Sequence, residues 1–234
     1  MFKIFHLGAL ALLLAACGAP RIRHPTAPLP RESASTANPS IPAGKYRLDE
    51  TRSELRVLVH RAGPLARLGH NHVIVNRSLR GWASQDLAGP TQFSLSVPAA
   101  AFVIDDAQAR HEEGPDFDGD VSDDAKSGTL RNMLSAAVLD ADGFPSITVD
   151  SVAVSGAASG AGMLVATVRI SVAGHESQME VPITLQSDSR QLSANGSLEL
   201  RQSALGLMPY SIMFGALQVQ DAITIKFRII ASLS

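Results

Sequence analysis

Apolar positions alternate with polar ones from the start of the segment spanning residues 46–82. Leu55, Val57 and Val59 recur at every second position, the chain turns through Ala62-Gly63-Pro64, and it re-emerges as His70-Asn71-His72-Val73-Ile74-Val75. Period two predicts strands, because successive side chains leave a strand on opposite faces. Further strands are expected at residues 91–97, with Phe93, Leu95 and Val97 on one face, and at 101–104. Residues 108–124 interrupt the pattern with seven acidic side chains, and the part Asp116-Phe-Asp118-Gly-Asp120 reads as a solvated acidic loop. Leu130, Met133, Leu134 and Val138 then follow at helical spacing, with Asp123 and Asp124 where a helix N-terminus favours negative charge. Gly128 costs that helix about 1 kcal/mol and keeps it short. Asp140-Ala141-Asp142-Gly143 ends it.

The second half reads as a meander of strands at 147–154, 163–172, 178–185, 192–200 and 219–230, separated by glycine-rich or polar turns. Met179, Val181, Ile183 and Leu185 share one apolar face, as do Ile223, Ile225, Phe227 and Ile229, while Glu180, Lys226 and Arg228 point the other way. One side of the sheet is therefore expected to be buried. With a single helix available as cover, such a sheet needs a second sheet or closure on itself. The expected fold is all-β: an antiparallel barrel with one short helix. Eight closed strands leave an interior just wide enough for side chains or one slender ligand. Aromatic residues make up only 5% of the chain, which favours a roomier lumen lined by aliphatic side chains.

The N-terminus carries an address. Lys3 gives a positive start, residues 7–16 are apolar, and Leu14-Ala15-Ala16-Cys17-Gly18 places small residues before the only cysteine. The apolar run is short for a membrane span. It resembles a bacterial lipobox in which Cys17 is lipidated, and Gly18 resembles the class sorted to the outer membrane. The expected division is a signal peptide over 1–16, a lipidated Cys17 with a disordered tether over 17–44, and a folded domain over 45–234. Residues 18–44 hold six prolines and no apolar periodicity, a composition that cannot offset the entropy of ordering. Use of Cys17 for lipid removes any disulfide or catalytic thiol. Net charge is −2, so no basic surface points to nucleic acid.

Five stretches, in order, match one pattern: Tyr46-Arg-Leu-Asp49 with Ser53-Glu-Leu-Arg-Val-Leu-Val-His60; Met133-Leu-Ser-Ala-Ala-Val-Leu-Asp140; Phe144-Pro-Ser-Ile-Thr-Val-Asp-Ser151; the hairpin over 165–185 with Gly174-His175 at its turn; and residues 201–206 with the closing strand 219–230. Over residues 45–232 the chain resembles the YceI-like family. The resemblance implies a lipocalin-like antiparallel barrel whose long apolar pore holds a polyisoprenoid chain, in a periplasmic or secreted protein not known primarily for catalysis. Two features depart from the family's simple pattern: the acidic insertion over 111–124 and the run Leu68-Gly69-His70-Asn71-His72.

The expected lumen residues are Leu55, Val57, Val59, Phe93, Leu95, Val181, Ile183, Ile225 and Phe227. No cofactor is expected beyond a bound isoprenoid lipid, whose affinity would come from apolar burial alone. The alternative reading of these residues is a solid core. His70 and His72, at i and i+2, would share a strand face, and His60 could sit on the neighbouring strand. This gives a metal-binding or metal-dependent protein as a second reading, since zinc and copper take neutral imidazole. Asp116-Phe-Asp118-Gly-Asp120 departs from a calcium loop, because Gly119 precedes the third acid and Ser127 stands where a closing glutamate belongs. No serine sits in a Gly-x-Ser-x-Gly elbow, so no catalytic residue is assigned. The leading expectation is a non-catalytic carrier or sequestering lipoprotein of the periplasm, anchored through Cys17 to the outer membrane. A third reading is a protein-binding lipoprotein module with a solid barrel. Oligomeric state stays open, a homodimer among the options.

Overall fold

The computed structural model describes residues 42–86, 91–156 and 161–234. The expected signal peptide, Cys17 and the expected tether through residue 41 lie outside the described residues, and so do residues 87–90 and 157–160. In chain order the elements are β1 (Gly44–Leu48), β2 (Glu54–Ala62), β3 (His72–Asn76), β4 (Arg80–Gln85), β5 (Gln92–Pro98), β6 (Phe102–Ile104), α1 (Ala107–Glu113), α2 (Asp123–Leu134), β7 (Ser146–Gly156), β8 (Ala161–Val172), β9 (His175–Ser187), β10 (Gln191–Arg201), β11 (Ser211–Ile212) and β12 (Leu217–Leu233).

Antiparallel pairing runs β1-β4-β5-β7-β8-β9-β10-β12, and β12 pairs back onto β1 to close an eight-stranded barrel. The 17-residue length of β12 makes closure possible. One edge of β12 pairs with β10 from Ala222 to Ser232. The other edge pairs first with β2 and then, from Ala231 to Leu233, with β1. From β2 the sheet continues outward through β3 to β6. The contact between β9 and β10 is shorter than either strand. It joins Thr184–Ser187 to Leu192–Asn195 and stops there, beside Pro182, which has no N–H to give to a ladder.

Alternation holds where one face meets solvent and fails where both faces are covered. Along β9, Met179, Val181, Ile183 and Leu185 are more buried than the residues between them. In β3, by contrast, Val73, Ile74 and Val75 are all buried. Ile74 faces inward with the barrel core, whereas Val73 and Val75 pack outward with Leu58 against Ala109 of α1 and Phe117. The continuous apolar run Val73-Ile74-Val75 is the sequence form of a strand buried on both sides.

The helix that covers this outer face corrects the expectation of a single short helix. Residues 107–113, Ala-Gln-Ala-Arg-His-Glu-Glu, consist mostly of good helix formers. The Asp106 side chain caps the start by accepting from the Ala109 N–H at 3.0 Å, and Gly114, at φ 85°, ends it. Two of the acids that interrupt the strand pattern hold α1 to the wall: Arg56 of β2 pairs with Glu112 and, at 3.2 Å, with Glu113, which also pairs with Lys226 of β12. α2 starts as expected, with Ser122 accepting from the Ala125 N–H at 3.3 Å and Asp123 and Asp124 in its first turn. It ends at Leu134, one turn short of the apolar pattern, so Val138 and Leu139 enter the interior from the irregular segment that follows.

Candidate functional site

The barrel is hollow. A cavity of about 340 Å³ runs through it, at the lower end of the roughly 300–1,000 Å³ typical of small-molecule sites. Leu55, Val57, Val59, Phe93, Leu95, Val181, Ile183, Ile225 and Phe227 all line it. Register explains the convergence of such distant residues. Val57 stands directly opposite Ile225, and Leu55 opposite Phe227, and opposed residues of an antiparallel pair leave the sheet on the same face.

No charged side chain lines the cavity among the described residues. Its polar lining comes from Ser84, Gln85 and Thr91, with the indole of Trp82, at the end where β4 passes into β5, and from Gln202 at the other. Gln202 is spent, because its side-chain amide donates to the Gln220 carbonyl at 2.8 Å. The wall between is Leu, Val, Ile, Ala, Phe and Met, whose side chains offer a ligand dispersion and desolvation but no hydrogen bond. Further lining comes from positions that the sequence did not assign to the lumen. Met133, Val138 and Leu139 reach in from α2 and its exit, and Leu205 and Leu207 from the turn after β10. The helical spacing marked the first two as apolar, but nothing local says which end of a barrel a helix exit will cover.

Gly196 sets the local bore. It stands opposite Phe227, and a Cβ at this position would lie 2.3 Å from the Phe227 ring and 2.8 Å from the Pro182 carbonyl oxygen. Glycine lets the ring lie flat against β10 instead of projecting across the tube.

The histidines do not converge. The expectation of a shared face for His70 and His72 assumed a strand from residue 70, but β3 begins at His72 and His70 is exposed in the preceding turn. The two rings are 6.3 Å apart, centroid to centroid. His72 stands opposite Val59, so His60, one residue on, leaves β2 on the other face, where its ring lies 5.2 Å from Phe117. Among the described residues no three His, Cys, Asp or Glu side chains come together in a way that could hold a metal ion. Asp116, Asp118 and Asp120 are exposed.

His72 instead belongs to a polar knot. Its Nδ1 lies 2.7 Å from Asp105 Oδ2, while Asp105 Oδ1 accepts from the Val73 N–H at 2.9 Å and from Arg110 at 2.6 Å. Arg110 also donates to the Asn71 carbonyl at 2.8 Å. Burial pushes the Asp105 carboxyl up, but the His72 hydrogen bond and charge, the Val73 N–H and Arg110 outweigh it and hold the group below the usual carboxylate range. Asp105 itself takes φ 55°, a left-handed geometry that aspartate tolerates better than most residues. The knot ties β3, the end of β6 and α1 into one unit. It takes no part in the cavity lining.

The model of the YceI-like domain matches residues 46–231 of the chain. Among solved structures, the chain is similar to Burkholderia cenocepacia BcnA at 16% identity and a TM-score of 0.57, covering 78% of this chain and 98% of that one. It is also similar to a polyisoprenoid binding domain from Saccharophagus degradans implicated in plant cell wall breakdown. There the identity is 12% and the TM-score 0.56, over 81% of this chain and 98% of that one. Comparison with curated protein sequences finds no match.

Proposed function

This chain belongs to the YceI-like family, and from that premise we propose that it binds an isoprenoid or similar long apolar lipid inside its barrel, without catalysing a reaction on it. The uncharged, almost wholly apolar lining of a hollow barrel carries the reading. The Saccharophagus degradans domain is described as polyisoprenoid-binding, and the shared fold supports extending that chemistry to this chain. Each five-carbon unit drawn into the tube gains roughly 4 kcal/mol of gross transfer energy, at about 0.8 kcal/mol per carbon. Ordering a flexible chain takes back part of this. An apolar tube of this kind selects by length and width, so saturated acyl chains compete with isoprenoids to the extent that they fit.

Catalysis finds no support in the lining, which presents neither a nucleophile beside a base nor a perturbed acid. Localisation follows the N-terminal sequence: the apolar leader, Cys17 and Gly18 support a lipoprotein of the periplasmic side, anchored in the outer membrane, with the proline-rich tether giving the barrel reach. The protein would then sequester or carry its lipid close to a membrane.

Organic extraction of the purified full chain, followed by mass spectrometry, tests the reading. An apolar chain molecule recovered at about one per protein is the expected result. Recovery of none, together with failure of the stripped protein to take up a fluorescent prenyl probe, would overturn it.

A further inference from the structure

One end of the barrel carries an exposed apolar tip that the tube does not explain. Leu68, Met208, Ile212, Met213 and Phe214 are all large, apolar and exposed, and Phe214 at 111% relative accessibility touches almost nothing. They come from two segments packed against each other. The Leu65 N–H donates to the Ala216 carbonyl at 2.8 Å, and Gly63 lies so close to Gly215 and Ala216 that a Cβ would meet their carbonyl oxygens at 2.6 Å. Met213 and Phe214 are consecutive non-glycine residues with positive φ, at 53° and 56°. Such geometry is uncommon for bulky side chains and is costly to hold. Here the backbone is bent into it and the two side chains are left bare.

The two segments that form the tip carry charge of one sign, and the acids nearest to them on another segment are the exposed Asp116, Asp118 and Asp120, reached through Asn71, whose side chain donates to the Asp116 carbonyl at 2.9 Å. Residues 202–220 contain no charged side chain, and residues 55–85 contain arginine and histidine but no acid. Arg61 and Arg67 are exposed and not ion-paired among the described residues; the Arg61 guanidinium donates to the Gly69 carbonyl at 2.6 Å and its backbone N–H to Asn71 Oδ1 at 3.1 Å. Asp221, the next acid along the chain, is occupied by the Ser203 N–H and hydroxyl and lies 3.8 Å from Arg201. An apolar tip with a cationic fringe matches a bilayer with anionic headgroups: the side chains enter the acyl boundary while the guanidinium groups meet phosphate. The tip is also continuous with the tube, because Leu205 and Leu207 line the cavity and Met208 follows them directly into solvent.

We propose that the tip formed by Leu68, Met208, Ile212, Met213 and Phe214, with Arg61 and Arg67 at its edge, is a membrane-docking surface that inserts into anionic phospholipid bilayers. This contact is separate from the N-terminal anchor, and it holds whatever fills the tube. It would orient the barrel with one end on the lipid surface.

The test uses the full chain with Cys17→Ser, so that no acyl anchor forms and an introduced cysteine is the only thiol. Phe214→Cys carries an environment-sensitive fluorophore at the tip, and Ser189→Cys, in the turn joining β9 to β10 at the opposite end, carries it as the control. Vesicles containing phosphatidylglycerol are expected to shift the emission of the label at position 214 to the blue and leave that at 189 unchanged, with a smaller shift on pure phosphatidylcholine. Met213→Ser with Phe214→Ser, unlabelled, is expected to lower the vesicle-bound fraction in flotation about tenfold or more. No shift at 214, an equal shift at both positions, or a shift at 214 that follows protein concentration without vesicles would overturn the proposal. The last result would mark the tip as a contact between two copies of the chain.

Discussion

At the scale of single residues, two positions decide more than their size suggests. Asp105 is fully buried as a side chain and satisfies three elements at once. Asp105→Asn is expected to lower stability at neutral pH by about 1–3 kcal/mol, the range for a buried group that loses strong partners. The sign of the pH dependence follows from the depressed folded-state pKa. The stabilisation is fully present above the unfolded value, about 3.9, and is lost as pH falls through the lower folded value. Urea unfolding of both proteins at several pH values should therefore show the gap closing in acid; a gap independent of pH would refute this account. Gly196→Ala is expected to push the Phe227 ring into the bore, because the Pro182 carbonyl on the other side is backbone and yields little. Reduced uptake of a prenyl probe with the fold intact by circular dichroism is the expected readout, and unchanged uptake would show that the bore is not set there.

At the scale of elements, α1 is an acidic segment held to a barrel wall by ion pairs. Glu113 is only 5% exposed and bridges Arg56 and Lys226 of neighbouring strands. Arg56, held above its ordinary range despite the opposing effect of burial by its pairing with Glu112, Glu54 and Glu113, cannot shed its charge when a partner is removed. Glu113→Ala is expected to cost about 1–3 kcal/mol and to loosen α1 before the barrel. Hydrogen exchange would show it, with faster exchange in residues 107–113 and little change in β8 and β9. Uniform acceleration would mean that α1 is not a separable cover. The β9–β10 ladder is short for strands of 13 and 11 residues, and the absence of an N–H at Pro182 is its local cause.

For the molecule as a whole, ligand and fold are linked. A lipid that binds only the folded barrel stabilises it by about 2.7 kcal/mol at a hundredfold excess over Kd. Stripping the tube is therefore expected to lower the melting temperature by several degrees, and reloading with a prenyl lipid should restore it. An identical melting curve before and after stripping would argue for a barrel that stays empty. The proposed N-terminal anchor has its own test: Cys17→Ser is expected to move the protein from the membrane fraction toward the soluble fraction. Wholly unchanged fractionation would remove Cys17 from the account.

The sequence alone determined what alternation can carry. A strand's inward face is written at every second residue, so Leu55, Val57, Val59, Val181, Ile183, Ile225 and Phe227 could be assigned to a lumen before any contact was known. The start of α2 was legible too, because its first-turn acids Asp123 and Asp124 are a local signal. Tertiary structure decided everything that needed a second element. It put α1 where the sequence showed only a break in the strand pattern, because Glu112 and Glu113 answer to Arg56 and Lys226, far away in the chain. It buried both faces of β3 and sent His60 and His72 to opposite sides of the sheet, since a register is a relation between strands and belongs to neither. Hollowness, too, was a matter of tertiary structure. Whether aliphatic side chains fill a barrel or leave a tube depends on how strands close and where Gly196 lets an aromatic ring lie flat, and no local pattern encodes that distance.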